Sequence, residues 1–145
     1  MIVLDANLLI YAVNEDAPQH NAVRVWLERT LSAGEEVRLP WVVILAFLRL
    51  TTHPRLFTKP MTIEAAFDFV DDWLSQPGVA VLHPGPAHGK IFRKLLEANG
   101  AAGNLTSDAH LAAIAIEYGA TLVSLDHDFA RFTGLKWKKP VTNVP

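Results

Sequence analysis

Four aspartates stand where they could act as one acidic site. Asp5 closes the apolar run Ile2 to Leu4, Asp126 closes Thr121 to Leu125, Asp108 opens an alanine-rich helical stretch, and Asp128 follows Asp126 by two residues. In an open parallel sheet, ligand-binding groups gather just beyond the carboxyl ends of the strands, so Asp5 and Asp126 are expected to meet at one edge. Carboxylates crowded within several ångströms raise one another's pKa, and a hard divalent ion with oxygen ligands, Mg²⁺ or Mn²⁺, is the natural counter-charge. Each acid alone also has a structural use open to it. Asp5 suits a turn or cap, Asp108 a first-turn anion on the helix dipole, Asp126 a strand-end turn, and Asp128 the N-cap of Phe129 to Phe132.

The elements that would hold these acids alternate. Short apolar runs at Ile2–Leu4, Val37–Leu39, Val79–Leu82 and Thr121–Leu125 read as strands. Between them, helical periodicity predicts a short helix or turn from Asn7 to Val13, and a helix to about Ala33 with Pro18 in its first turn. Trp41 to Thr51 reads as a buried helix, being too long for a typical strand. Thr62 caps a helix through Leu74, and another runs from about Ala87 to Ala98 and stops at Asn99-Gly100. A last helix spans Ala109 to Tyr118, capped by Thr106 or Ser107, with small residues that let it lie close to a sheet. Strands separated by helices imply a mostly parallel sheet covered on both faces, an α/β domain of three layers.

Composition narrows the chemistry. At 145 residues the chain is expected to form a single domain over 1–145, since two units would each bury little core. Half the residues are apolar and the net charge is −2, which excludes disorder and nucleic-acid binding by a polybasic tail alone. The chain has no cysteine, which removes disulfides, thiolate zinc sites, iron–sulfur clusters and cysteine nucleophiles. The start carries no basic leader and no run approaches the ~20 apolar residues of a membrane span, so the expected place is the cytoplasm.

Other catalytic patterns are missing. There is no Gly-x-Ser-x-Gly elbow, phosphate-cradling loop or dinucleotide glycine fingerprint, and the six histidines form no helical zinc pair. His110 and His127 each adjoin a candidate acid and are read as polar surface or supporting residues. Trp26, Trp41 and Trp73 are assigned to core packing, while Trp137 between two lysines is left open. Arg49, Arg55, Lys59, Arg93, Lys94 and Arg131 are the cations available to hold phosphates.

Three segments together resemble the PIN-domain ribonucleases: Met1-Ile-Val-Leu-Asp-Ala-Asn-Leu-Leu-Ile-Tyr-Ala, Gly103-Asn-Leu-Thr-Ser-Asp-Ala-His-Leu-Ala-Ala, and Leu122-Val-Ser-Leu-Asp-His-Asp-Phe. The resemblance extends through Leu39-Pro-Trp-Val-Val and Phe47-Leu-Arg-Leu-Thr-Thr-His-Pro-Arg, and it points to the VapC toxins of toxin–antitoxin pairs abundant in actinobacteria. It implies a PIN-like fold and a Mg²⁺- or Mn²⁺-dependent endoribonuclease, restrained by a VapB-type antitoxin and commonly a homodimer. It carries Asp5, Asp108 and Asp126 over as catalytic metal ligands, and Asp128 as a variable extra acid. Asn7, Asn104 and Thr106 match polar positions around them.

One position departs from the family pattern. Where most members have a Glu, followed by two apolar residues and an Arg, this chain has Ala46-Phe47-Leu48-Arg49, and no acid lies between Glu36 and Glu64. Ligands remain for one ion, while a tightly held second ion is in doubt. Two expectations follow: an active metal-dependent endoribonuclease, or a catalytically weakened module that binds antitoxin or RNA.

Overall fold

The central strand of the sheet is the first one made. In the computed structural model, which describes residues 1–140, β1 (Ile2–Leu4) pairs with β2 (Val37–Pro40) on one side and β4 (Thr121–Val123) on the other. β3 (Val79–Leu82) extends the sheet beyond β2, and β5 (Lys136–Lys138) extends it beyond β4, giving the order β3-β2-β1-β4-β5. All four pairings are parallel, as the alternation of strands and helices predicts. The carboxyl ends of all five strands therefore share one edge.

Six α-helices flank the sheet among the described residues: α1 (Ala6–Val13), α2 (His20–Ser32), α3 (Trp41–Thr51), α4 (Ile63–Leu74), α5 (His88–Asn99) and α6 (Leu105–Glu117). Both faces of a parallel sheet must be covered, which is why β1 is buried at every position and reads as continuous apolar sequence. α6 lies closest in character to the core. Ala109, Leu111, Ala112, Ala113, Ile114 and Ala115 are all buried, and the alanines let its backbone approach its neighbours without side-chain volume. Phe47 of α3 meets Trp73 of α4 edge to face at 5.0 Å, tying these helices into the same apolar cluster.

Several boundaries differ from expectation, each for a local reason. α6 begins at Leu105, four residues before Ala109, and neither Thr106 nor Ser107 caps it. Thr106 instead donates its hydroxyl to the Ala101 carbonyl at 2.8 Å, and Asn104 takes the N-cap position without a side-chain bond. α2 starts at His20, after turn residues that include Pro18. β4 ends at Val123 rather than Leu125, because the Asp126 carboxylate accepts from the Asp128 N–H and starts a short 3-10 turn, His127–Arg131. The cap there is Asp126, so Asp128 does not cap Phe129. Thr62 caps α4 and Gly100, at φ +86°, ends α5, both as read from the sequence.

β5 was not foreseen. Lys-Trp-Lys is too short and too charged to show a buried-strand pattern, which is typical of an edge strand. Trp41 also differs from its core assignment: it is 46% exposed, one turn before Leu45 at 60%. Trp73 is buried as expected and Trp26 is half-buried. No helix among the described residues is long and apolar enough to cross a membrane.

Candidate active site

Asp5 leaves β1 and caps α1. Its Oδ1 accepts from the Ala6 N–H at 2.7 Å, and its Oδ2 accepts from the hydroxyl of Ser124 at 2.7 Å. Ser124 is fully buried just past β4 and works in three directions. Besides donating to Asp5, its Oγ accepts from Asn7 Nδ2 at 3.1 Å and from the Asp126 N–H at 3.0 Å. The ends of β1 and β4, remote in sequence, are thereby locked together by one hydroxyl.

This hydroxyl escaped the sequence reading. The available signal was a single small polar residue inside Leu122-Val-Ser-Leu, where an apolar side chain would be expected in a buried parallel strand. Asn7 is placed beside Asp5 as anticipated, but its Oδ1 is buried and has no hydrogen-bond partner. An orphaned acceptor of this kind costs free energy unless a donor or cation meets it.

Burial raises the Asp5 pKa above its ordinary value, against the two hydrogen bonds that favour its ionised form, and the Asp126 charge adds to the rise. Asp108 sits half-buried in the first turn of α6. Its pKa is pushed up to about 6, first by burial and then by the charges of Asp5, Asp126 and Asp128, with Arg131 opposing. Four acids from three separate parts of the chain thus act on a common space. Among the described residues, however, no three acidic or histidine side chains close around one point tightly enough to encircle an ion as they stand. Asp5 and Asp126 are each turned towards protein donors instead.

The remaining predicted positions are more peripheral. Asn104 and Thr106 are exposed on the turn into α6, and Asp128 is exposed beyond Asp126. Arg49 is exposed in the last turn of α3 and makes no ion pair among the described residues. Ala46 is half-buried on the same helix, against the core. His110 does not engage Asp108; its Nδ1 lies 2.9 Å from His88 Nε2 on α5. His127 faces Trp137, their ring centroids 5.8 Å apart.

Residues 2–135 match the PIN domain family model. The chain belongs to the PIN domain family. This PIN domain is 43% identical to Ribonuclease VapC37 of Mycobacterium tuberculosis over 140 residues, covering 97% of each chain. It is also 42% identical to Ribonuclease VapC33 of the same species, over 97% of this chain and 99% of the relative. Among solved structures, the PIN domain resembles a chain of VapBC2 from Rickettsia felis bound to a promoter DNA fragment, with a TM-score of 0.70, 22% identity, and 96% and 98% of the two chains covered. VapBC-1 from nontypeable Haemophilus influenzae superposes with a TM-score of 0.66 at 20% identity, over 96% and 98%. The shared fold is thus that of VapC chains, and the nearly full-length identity places this PIN domain among the VapC ribonucleases.

Proposed function

We propose that the chain is a Mg²⁺- or Mn²⁺-dependent endoribonuclease and the toxin of a toxin–antitoxin pair. The observation that carries this reading is the placement of Asp5, Asp126 and Asp128 about Asp108, whose pKa is held near 6 first by burial and then by these charges. A cation entering this space would relieve the repulsion. The donor set is all oxygen, which suits a hard divalent ion, and the unpartnered Asn7 Oδ1 is a further acceptor facing no protein donor.

Asp5 and Asp126 would hold the ion directly. Asp108 would bind it directly or through water, and Asp128 would orient water or complete the shell. When bound, the ion supplies positive charge to a non-bridging phosphate oxygen and lowers the pKa of the attacking water. The protein's own part is positional. Ser124 holds the Asp5 carboxylate and accepts from the Asp126 main-chain N–H, so one hydroxyl positions both acids relative to each other. Hydrolysis forms a new phosphorus–oxygen bond from water and breaks the bond to the 3′ oxygen, leaving a 5′-phosphate and a 3′-hydroxyl.

The partners of this reading are RNA, a VapB-type antitoxin and a second copy of the chain, in the cytoplasm. Exposed apolar side chains support protein partners: Trp41 and Leu45 on α3, and Ile63, Phe67 and Phe69 on α4. The antitoxin is expected to cover apolar surface and to bring a basic side chain to the acidic edge. Relatives that are ribonucleases by name along nearly the whole chain do not favour the weakened-module alternative, despite Ala46.

The deciding experiment induces the protein in cells, maps new 5′ ends in total RNA, and repeats the reaction in vitro with Mn²⁺ or EDTA. Cleavage that vanishes with EDTA and with Asp5→Asn is expected. Cleavage that persists under both overturns the metal-dependent assignment.

A further inference from the structure

The acid site has an aromatic and basic flank. β5 runs parallel to β4, so its carboxyl end lies at the same sheet edge as the acids. Trp137 of β5 is half-buried, packed in part against the core, and its indole N–H donates to the Ser124 carbonyl at 3.2 Å. Ser124 also donates its own N–H to the Lys138 carbonyl at 3.1 Å. Trp137 is therefore fastened to the residue whose hydroxyl holds Asp5. Beside it stands His127, exposed and next in sequence to Asp126, with the two ring planes inclined at 64°. Lys136, Lys138, Lys139 and Arg131 are exposed around this corner, and none forms an ion pair among the described residues.

Two simpler uses are available to these residues. Lysines on an edge strand discourage pairing with another sheet, and a tethered indole can be plain packing. Neither use requires that the rings and the uncompensated cations flank the acids. A chain of net charge −2 with an acid cluster repels a polyanion everywhere except at its cations, and these cations stand one strand from that cluster. The exposed His127 ring and the uncovered part of Trp137 suit an unstacked base, which a duplex does not offer.

Resting on the nuclease reading above, we infer that His127 and Trp137, flanked by Lys136 and Lys138, form a seat for one unstacked base of single-stranded RNA beside the cleavage site. The rings take the base face, and the lysines, which leave β5 on the face opposite Trp137, take phosphates where the RNA passes over the sheet edge. The seat selects for strandedness and gives no hydrogen-bonded readout of the base.

The test uses a short labelled oligouridylate and a blunt RNA duplex, with anisotropy measured in EDTA or Ca²⁺ so that nothing is cut. Wild-type protein is expected to bind the single strand and to bind the duplex less well. Trp137→Leu should weaken single-strand binding on the order of tenfold, while Trp137→Phe, which keeps a ring, retains most of it. Lys138→Gln should lower the salt slope by about 0.7. In cleavage assays Lys138→Gln should raise KM more than it lowers kcat, while Trp137→Leu, which also frees the Ser124 carbonyl, should raise KM and lower kcat. Melting curves check folding, and should Trp137→Leu not fold, the pair His127→Ala and Lys136→Gln/Lys138→Gln decides. Wild-type affinity and KM in the folded variants overturn the seat while leaving the nuclease intact. Single-strand binding with these losses but no Mn²⁺-dependent cleavage sinks the nuclease reading and leaves the seat. No single-strand binding by wild type, or equal binding of the duplex, overturns the seat.

Discussion

The hydroxyl of Ser124 donates to Asp5 Oδ2 across 2.7 Å, joining residues 119 positions apart. The bond is buried and shared, since the same oxygen accepts from Asn7 and from the Asp126 main chain. Ser124→Ala would strand both donors and release the Asp5 carboxylate. A loss of about 1–3 kcal/mol is expected in urea unfolding, together with weaker Mn²⁺ binding. A variant as stable as wild type would show that this hydroxyl holds nothing together.

Asp108 makes stability depend on pH. Its carboxyl titrates at 3.8 unfolded and at about 6 in the fold. Between those values the native state keeps a proton that the unfolded chain has released, so stability falls as pH rises through the window and the penalty is complete above it. Metal-free Asp108→Asn should therefore melt higher than wild type at neutral pH, with the gap closing as pH falls from about 6 towards 3.8. A gap that does not change with pH would contradict the assignment.

Metal should offset the same repulsion. An ion that binds only the native state stabilises it by about 2.7 kcal/mol at a hundredfold excess over Kd, so Mn²⁺ should raise the wild-type melting temperature. Asp5→Asn, Asp108→Asn and Asp126→Asn should each reduce that gain, and Asp126→Asn should leave metal-free stability equal or higher. Equal metal shifts in all four proteins would dismiss a shared site.

Ala46 offers a gain-of-function test. The residue is half-buried within α3, where Glu is compatible with helix propensity. Ala46→Glu is expected to tighten Mn²⁺ binding with only a modest fall in metal-free stability. Melting that drops sharply and is not rescued by metal would mean that the new carboxylate is buried unpaired against the core, away from the acids.

Much of this architecture is legible in local sequence because parallel strands are buried on both faces. Ile2–Leu4 and Thr121–Leu125 show themselves as apolar runs, and Asp5 and Asp126 mark where those runs stop. What stayed hidden depends on partners distant in the chain. Nothing near Ser124 announces Asp5, and nothing near His110 announces that it faces His88 rather than Asp108. β5 is unreadable for another reason: Lys136, Trp137 and Lys138 alternate over only three residues, too short a span with two charges to stand out as a strand.

The position of β1 between β2 and β4 also has a consequence for synthesis. Asp5 is made 119 residues before Ser124, which with Asp126 completes its surroundings just past β4. A nascent chain can pair β1 with β2 early, yet it carries one side of β1 unpaired until β4 emerges and closes the longest loop in the sheet. The acid cluster consequently does not exist in a chain that stops short of β4. On the nuclease reading, the site cannot assemble until most of the chain has been translated.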